Sequence, residues 1–403
     1  MKQKTIKNII DLFNSLFLIV GGWIIVVPIS LLVPKKKGLF AVVGRTGNNF
    51  ADNTKYFYLF LQNNHPKNKS FFISDTKSFN DDVPGLIKHP SFKSMITLMR
   101  AEYVILDYSA WYLNFKYHLS IKAKKIQLWH GISSKRIEMS TDIFTKSKLG
   151  GLRKIYGALR GQIIKYSLLS STSEYYSKNL YKGSLWYKEV KEFGQPRNDV
   201  LFRTPEEVDL IGADSTVIAK LKQKKKNDNT IIILFTPTYR ATLSNDIIDY
   251  NRLNIFAQKH NISIVIKHHV LAEFKAIPNM SNIIVYDKRK DIYPIMSISD
   301  AMITDYSSIY LDYLLLNKPV VFYIPDFVEY KKADTSLRDD YLEITPGTKC
   351  KSQEELHKTL IEELIDNRDN YKREREDVLE FSYKYVDGNS SKRIYEYLIK
   401  REL

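Results

Sequence analysis

Short apolar runs alternate along most of the chain with stretches whose apolar positions recur at helical spacing, which predicts strands and helices taking turns. The first unit reads as a strand at 39–43, a turn at 44–49, an amphipathic helix opening near Asp52 that Pro66 ends, and a strand at 70–74. A helix at 92–100 and strands at 103–107, 125–129 and 168–172 continue it. After a charged segment at 204–229, the alternation restarts with strands at 231–235, 262–266, 282–286 and 301–303 and helices near 250–260 and 292–298. Alternation of this kind is the pattern of βαβ units, and its restart points to two doubly wound domains. The final helix, near 391–403, is placed to pack back on the first half.

One stretch breaks the pattern. Residues 16–33, LFLIVGGWIIVVPISLLV, are almost wholly apolar, with Lys2, Lys4 and Lys7 before them and Lys35, Lys36 and Lys37 after. That length only just reaches what a bilayer-spanning helix needs. Gly21, Gly22 and Pro28 interrupt it, and lysines at both ends give no preferred side, so a membrane-embedded segment that does not cross is the expectation. A soluble chain that hides the run in its core is the ordinary alternative.

Composition sharpens this picture. Lys and Arg number 61 against 45 Asp and Glu, a net charge of +16 that calls for an anionic partner. Nucleic acid lacks support, since no zinc, RNP-like or helix-turn-helix pattern is present. The single cysteine, Cys350, rules out an internal disulfide and a cysteine-built metal site. Residues 132–165 carry Lys135, Arg136, Lys146, Lys148, Arg153, Lys154, Arg160 and Lys165, a solvated face in the plain reading and an anion-attracting one beside a membrane segment.

Candidate chemistry collects where strands end. The run Ala301 to Ile303 breaks into Thr304, Asp305, Tyr306, Ser307 and Ser308 before helical spacing resumes, so paired hydroxyls stand at a helix start that favours an anion. Taken alone, such a pair usually caps a helix, a lone His130 is usually structural, and the turn GRTGNN lacks the third glycine of a dinucleotide fingerprint. Two facing halves, however, would bring His130 and Arg197 near Arg240, His269, Ser307 and Ser308, each just past a strand's carboxyl end. Several donors around a cleft suit a diphosphate.

The succession LWHG (128–131), GQPRND (194–199), FTPTYR (235–240), KHH (267–269) and ITDYSSIYLDY (303–313) resembles the CDP-glycerol glycerophosphotransferases of teichoic acid synthesis, in order over roughly 40–345. The resemblance implies an α/β, GT-B-like fold of two Rossmann-type domains facing across a cleft, divided as a membrane-associating segment 1–37, an acceptor domain 38–203 and a CDP-donor domain 204–403. It implies His130 as general base and His269 as a second essential histidine. The donor would fall to Gly131, Arg197, Pro237, Thr238, Arg240, Lys267, Ser307, Ser308 and Asp312. The implied partners are CDP-glycerol or another CDP-polyol, a lipid-linked acceptor and the cytoplasmic face of the membrane. No metal is called for, although Asp305 and Asp312 are carboxylates able to recruit Mg²⁺. Ile132 and Val270 depart from the family's usual Thr and Pro, which bears on acceptor and polyol more than on the nucleotide. The short N-terminal region leans toward a priming enzyme. A CDP-ribitol transferase, a sugar-nucleotide glycosyltransferase and a non-catalytic basic binding protein are the alternatives.

Overall fold

The computed structural model describes residues 14, 16–44, 50–75, 83–112, 114–133, 135–141, 145, 150–240, 247–268, 280–334, 336–338 and 340–400. The turn at 45–49, the lysines at 146 and 148, and His269 with Val270 lie outside the described residues.

The first half holds β1 (Lys36–Val43), β2 (Ser70–Asp75), β3 (Leu86–His89), β4 (Ala101–Leu106), β5 (Lys124–Gln127), β6 (Leu168–Ser171) and β7 (Val190–Glu192). They form one parallel sheet in the order β3-β2-β1-β4-β5-β6-β7. The second half holds β8 (Ile231–Thr236), β9 (Ile262–Ile266), β10 (Ile283–Val285), β11 (Ala301–Thr304), β12 (Val320–Tyr323) and β13 (Lys349–Cys350), parallel in the order β10-β9-β8-β11-β12-β13. Both sheets reverse direction of winding beside their first strand, the point where doubly wound folds leave a crevice for ligand. Ile231–Phe235 and Ile262–Ile266 are near-continuous aliphatic runs because both faces of such a sheet are covered.

The edge strands β3 and β13 escape the sequence pattern, the first because it is short and follows the segment 76–82, the second because it is only Lys349 and Cys350. The helix expected to run through Leu315 is shorter. It spans Tyr310–Tyr313 and tightens into a 3₁₀ turn over Leu314–Leu316, and Asn317 ends it at φ +46°.

The two halves share material. The last helix, Ser390–Lys400, lies on the first sheet, where Ile394 and Leu398 join Phe40, Val42, Phe57 and Phe72, and the Tyr103 hydroxyl donates to the Leu398 carbonyl at 3.0 Å. Asp199 caps that helix, accepting from the Ser390 and Ser391 amides at 2.9 Å each. One apolar cluster runs across both halves through Trp129, Tyr176, Val200, Tyr293, Tyr310 and Tyr383.

Polar contacts also cross. On the helix Asp52–Asn64, Lys55 is fully buried and donates to Asp291 Oδ2 at 2.6 Å and to the Asp209 carbonyl, while the Tyr56 hydroxyl reaches the same Asp291 oxygen at 2.7 Å. A buried carboxylate stripped of its cation is costly. Lys55→Met is therefore expected to lower unfolding free energy by about 3–5 kcal/mol, read as a drop in the urea midpoint. Adding Asp291→Asn, which removes the orphaned charge, should recover part of it.

Candidate active site

Three consecutive side chains at the start of the helix after β1 arrange the end of β5. Asn53 Nδ2 donates to the Trp129 carbonyl at 2.8 Å, Thr54 Oγ1 donates to Asp107 Oδ2 at 3.1 Å, and Asp52 Oδ1 accepts from Arg197 at 2.7 Å. All three are buried. Beyond β5 the backbone turns sharply, with Trp129 at φ +57° and Gly131 at φ +119°. The turn thrusts His130 out, half-exposed, against the Trp129 ring at 4.4 Å and the edge of Tyr108 at 5.8 Å.

His130 Nδ1 lies 2.9 Å from the Asp107 carbonyl oxygen. A carbonyl only accepts, so Nδ1 carries the proton and Nε2 presents the lone pair. Asp107 stands at the end of β4, the fourth strand and the winding switch. The histidine is therefore held with Nδ1 toward β4 and Nε2 on the far side.

Arg197, from the 3₁₀ turn Pro196–Phe202, occupies the heart of the molecule. Its Nη1 donates to Asp52 and, at 2.8 Å, to the His130 carbonyl, and its Nη2 donates to Asp312 Oδ2 at 2.6 Å. Asp312 also accepts from the Tyr293 hydroxyl at 2.5 Å and the Tyr383 hydroxyl at 2.6 Å. Burial, reinforced by that carboxylate, pushes both phenols far above their ordinary range, so they remain donors. Burial works against the Arg197 charge as well, but Asp312 and Asp52 more than offset it. A Cβ on Gly131 would stand 2.4 Å from Nη2, which explains why glycine follows the histidine.

In the second half, Asp305 at the end of β11 accepts from the Thr238 amide at 2.9 Å and hydroxyl at 2.6 Å and from Arg240 Nη1 at 2.9 Å. Arg240 reaches Asp326 through Nε at 2.6 Å and lies over the stacked Tyr306 and Tyr330 rings. Burial opposes the Asp326 charge, yet hydrogen bonds from Arg240 and Tyr306 hold its carboxyl below the usual range. Ser307 and Ser308 are half-buried, and their hydroxyls bond to nothing among the described residues.

Three of the expected donor residues are tied into the protein. Arg197, Arg240 and Asp312 are buried, and each is held by protein partners of opposite charge. Lys267 is half-buried with Nζ among the carbonyls of Asp287, Lys288 and Lys290. Pro237 and Gly131 are buried in the turns that carry Thr238 and His130. His268 is buried, and desolvation together with Lys288 brings its imidazole down to about 4, so it is neutral at neutral pH. Asp52, Asn53, Thr54 and Asp107 went unnoticed in the sequence, where only a polar cluster at a helix start marked the first three and a strand end the fourth.

Near the rim a second set of contacts spans the halves. Lys135 Nζ lies 2.7 Å from Asp334 and 2.8 Å from the Tyr330 hydroxyl, the Arg136 amide donates to the Ser336 carbonyl at 3.1 Å, and Arg338 meets Tyr175.

A family model described as CDP-glycerol:poly(glycerophosphate) glycerophosphotransferase matches residues 25–400. A teichoic acid poly(glycerol phosphate) polymerase of Bacillus spizizenii is 25% identical over 99% of this chain and 100% of its own length. One from Bacillus subtilis is 26% identical over 80% of this chain, which spans 43% of that longer protein. A solved structure of the wall teichoic acid polymerase TagF superposes with a TM-score of 0.72 at 21% identity, covering 99% of this chain and 96% of the other. The GT-B-like arrangement of two parallel sheets is therefore shared.

The tautomer is directly measurable. With ¹⁵N-labelled histidine, the neutral form of His130 should display a protonated Nδ1 and an unprotonated Nε2, whereas Asn53→Ala, which frees the Trp129 carbonyl, should shift its signals toward those of a mobile ring.

Proposed function

Because the chain belongs to the CDP-glycerol:poly(glycerophosphate) glycerophosphotransferase family, enzymes of teichoic acid synthesis, we propose that it moves a polyol phosphate, glycerol phosphate first among them, from a CDP-linked donor to a hydroxyl of a lipid-linked acceptor. The observation that carries the reading is the pinned His130 ring, whose Nδ1–H is spent on the Asp107 carbonyl so that Nε2 is the proton acceptor. The acceptor oxygen attacks the β-phosphorus, the bond from that phosphorus to the CMP oxygen breaks, and the hydroxyl proton passes to Nε2. CMP leaves as the phosphate monoester.

The charge that gathers on the phosphoryl oxygens needs donors not already committed. Ser307 and Ser308, in the turn after β11, supply two such hydroxyls. His269 joins this set as the second histidine of the motif. Arg240 and Asp305 act underneath, fixing the Thr238 turn rather than touching phosphate.

We also propose that the enzyme lies on the membrane surface. No helix among the described residues is long and apolar enough to cross a bilayer. The segment ending at Leu32 nevertheless leaves Phe17, Ile24, Ile25 and Leu32 exposed. It is joined to the helix Gly150–Leu159 by the Trp23 Nε1 bond to the Leu159 carbonyl at 3.0 Å, and that helix exposes Leu152 and Ile155. Arg153, Lys154 and Arg160 on or beside that helix, and Lys36 and Lys37 after the first segment, complement anionic lipid.

Two experiments test these readings. His130→Ala is expected to abolish CMP release from CDP-glycerol while circular dichroism stays native; near-normal turnover would end the assignment of the base. Assaying CDP-glycerol, CDP-ribitol and UDP-sugars in parallel identifies the donor, and the mass of the product separates one added unit from many. For the membrane, Ile24→Asp with Leu152→Asp should weaken sedimentation with phosphatidylglycerol vesicles at least about tenfold, since each buried side chain of this size is worth about 1.5–3 kcal/mol.

A further inference from the structure

We infer that Arg197 is a positioning residue: it registers the turn that carries His130 in the first half against the Ser307–Ser308 turn of the second. The inference deepens the transferase reading above and rests on it for its catalytic readout.

The argument starts from the backbone that presents the base. Trp129 is a bulky residue at positive φ, a conformation disfavoured for any side chain with a Cβ. Such a turn persists only where its surroundings hold it. Two consecutive carbonyls are held here, Trp129 by Asn53 at 2.8 Å and His130 by Arg197 at 2.8 Å. The Asn53 Oδ1 in turn accepts from the Arg197 amide at 3.1 Å, so the two clamps are themselves tied.

The other arm of the guanidinium leaves the first half. Nη2 reaches Asp312, one helical turn beyond Ser308 and on the element that the serine turn starts. Tyr293 and Tyr383 fix that carboxylate from its own side. A rigid planar fork thus links the base turn to the anion-facing turn through two bonds of 2.8 and 2.6 Å. A lysine reaches one direction only and does not reproduce the fork. Gly131 gives the fork room, since its missing Cβ is where Nη2 lies. Both terminal nitrogens of Arg197 are taken by protein groups, and the test below separates positioning from donor binding.

The test compares Arg197→Gln and Arg197→Lys with wild type in three measurements. Calorimetric affinity for CDP-glycerol should stay within about threefold, while kcat for CMP release falls by at least about a hundredfold in both variants, since a displaced catalytic group of this kind costs on that order. The ¹⁵N signals of His130 should shift toward those of a mobile ring, a change that needs no substrate. Weakened donor affinity at unchanged kcat would overturn the inference in favour of a direct donor contact. Unchanged His130 signals with unchanged kcat would overturn it in favour of a plain core residue, and so would full recovery by lysine. If Arg197→Gln fails to fold, Asp312→Asn replaces it, removing the far anchor alone, with the same outcomes deciding. Should wild type release CMP from no CDP-polyol, the transferase reading fails, while the His130 signals still decide whether Arg197 positions the ring.

Discussion

A single buried guanidinium between two carboxylates sets the relation of the two halves. Arg197 is nearly sealed from solvent, as is Asp312, and an ion pair so placed gives up hydration on both sides. What makes it tolerable is the number of bonds on each side: Asp312 takes two tyrosine hydroxyls besides the arginine, and Arg197 gives Asp52 and a carbonyl bonds besides the one to Asp312. Such a network is directional where apolar packing is not. The shared core of Trp129, Tyr293 and Tyr383 sets no direction by itself, and the fork, together with the buried Lys55–Asp291 pair, does.

The same constraint explains how the motif from Gly194 to Asp199 is built. Gly194, at φ +88°, leaves room for Ser390, Arg197 joins the halves, Asn198 donates to Asp312 at 3.3 Å, and Asp199 caps the final helix. Burial raises the Asp199 carboxyl, and the two amides it caps pull the other way. Arg197, Asn198 and Asp199 all bond to the protein itself. The stretch is a joint where first sheet, second half and last helix converge.

This marks the boundary of what could be read from sequence. The aliphatic strands, the restart of the alternation at Ile231, and the placement of His130 and Ser307 past strand ends follow from local pattern, because buried parallel strands are continuous apolar runs. Whether an arginine faces phosphate or a carboxylate far along the chain does not follow, since the partner of Arg197 is Asp312 and the partner of Arg240 is Asp326. Isolated positive charges near strand ends look alike in either case. The polar trio Asp52, Asn53 and Thr54 reads as an ordinary helix start for the same reason, although it supports the whole base turn. A family resemblance marks such positions as important without saying what they touch.

The two switch points show one topological slot put to opposite uses. Asp107 ends the fourth strand of the first sheet and Asp305 ends the corresponding strand of the second. Asp107 turns its backbone oxygen to the ring of His130 and its carboxylate inward to Thr54, so what faces the meeting of the halves is an imidazole. Asp305 turns its carboxylate to Thr238 and Arg240 and its backbone oxygen to the Tyr341 hydroxyl, so what remains on its side is a pair of uncommitted serine hydroxyls. The transfer proposed above draws on that contrast, with a proton withdrawn on one side and hydrogen bonds offered to charge on the other, and the contrast arises from which oxygen of an aspartate each sheet presents.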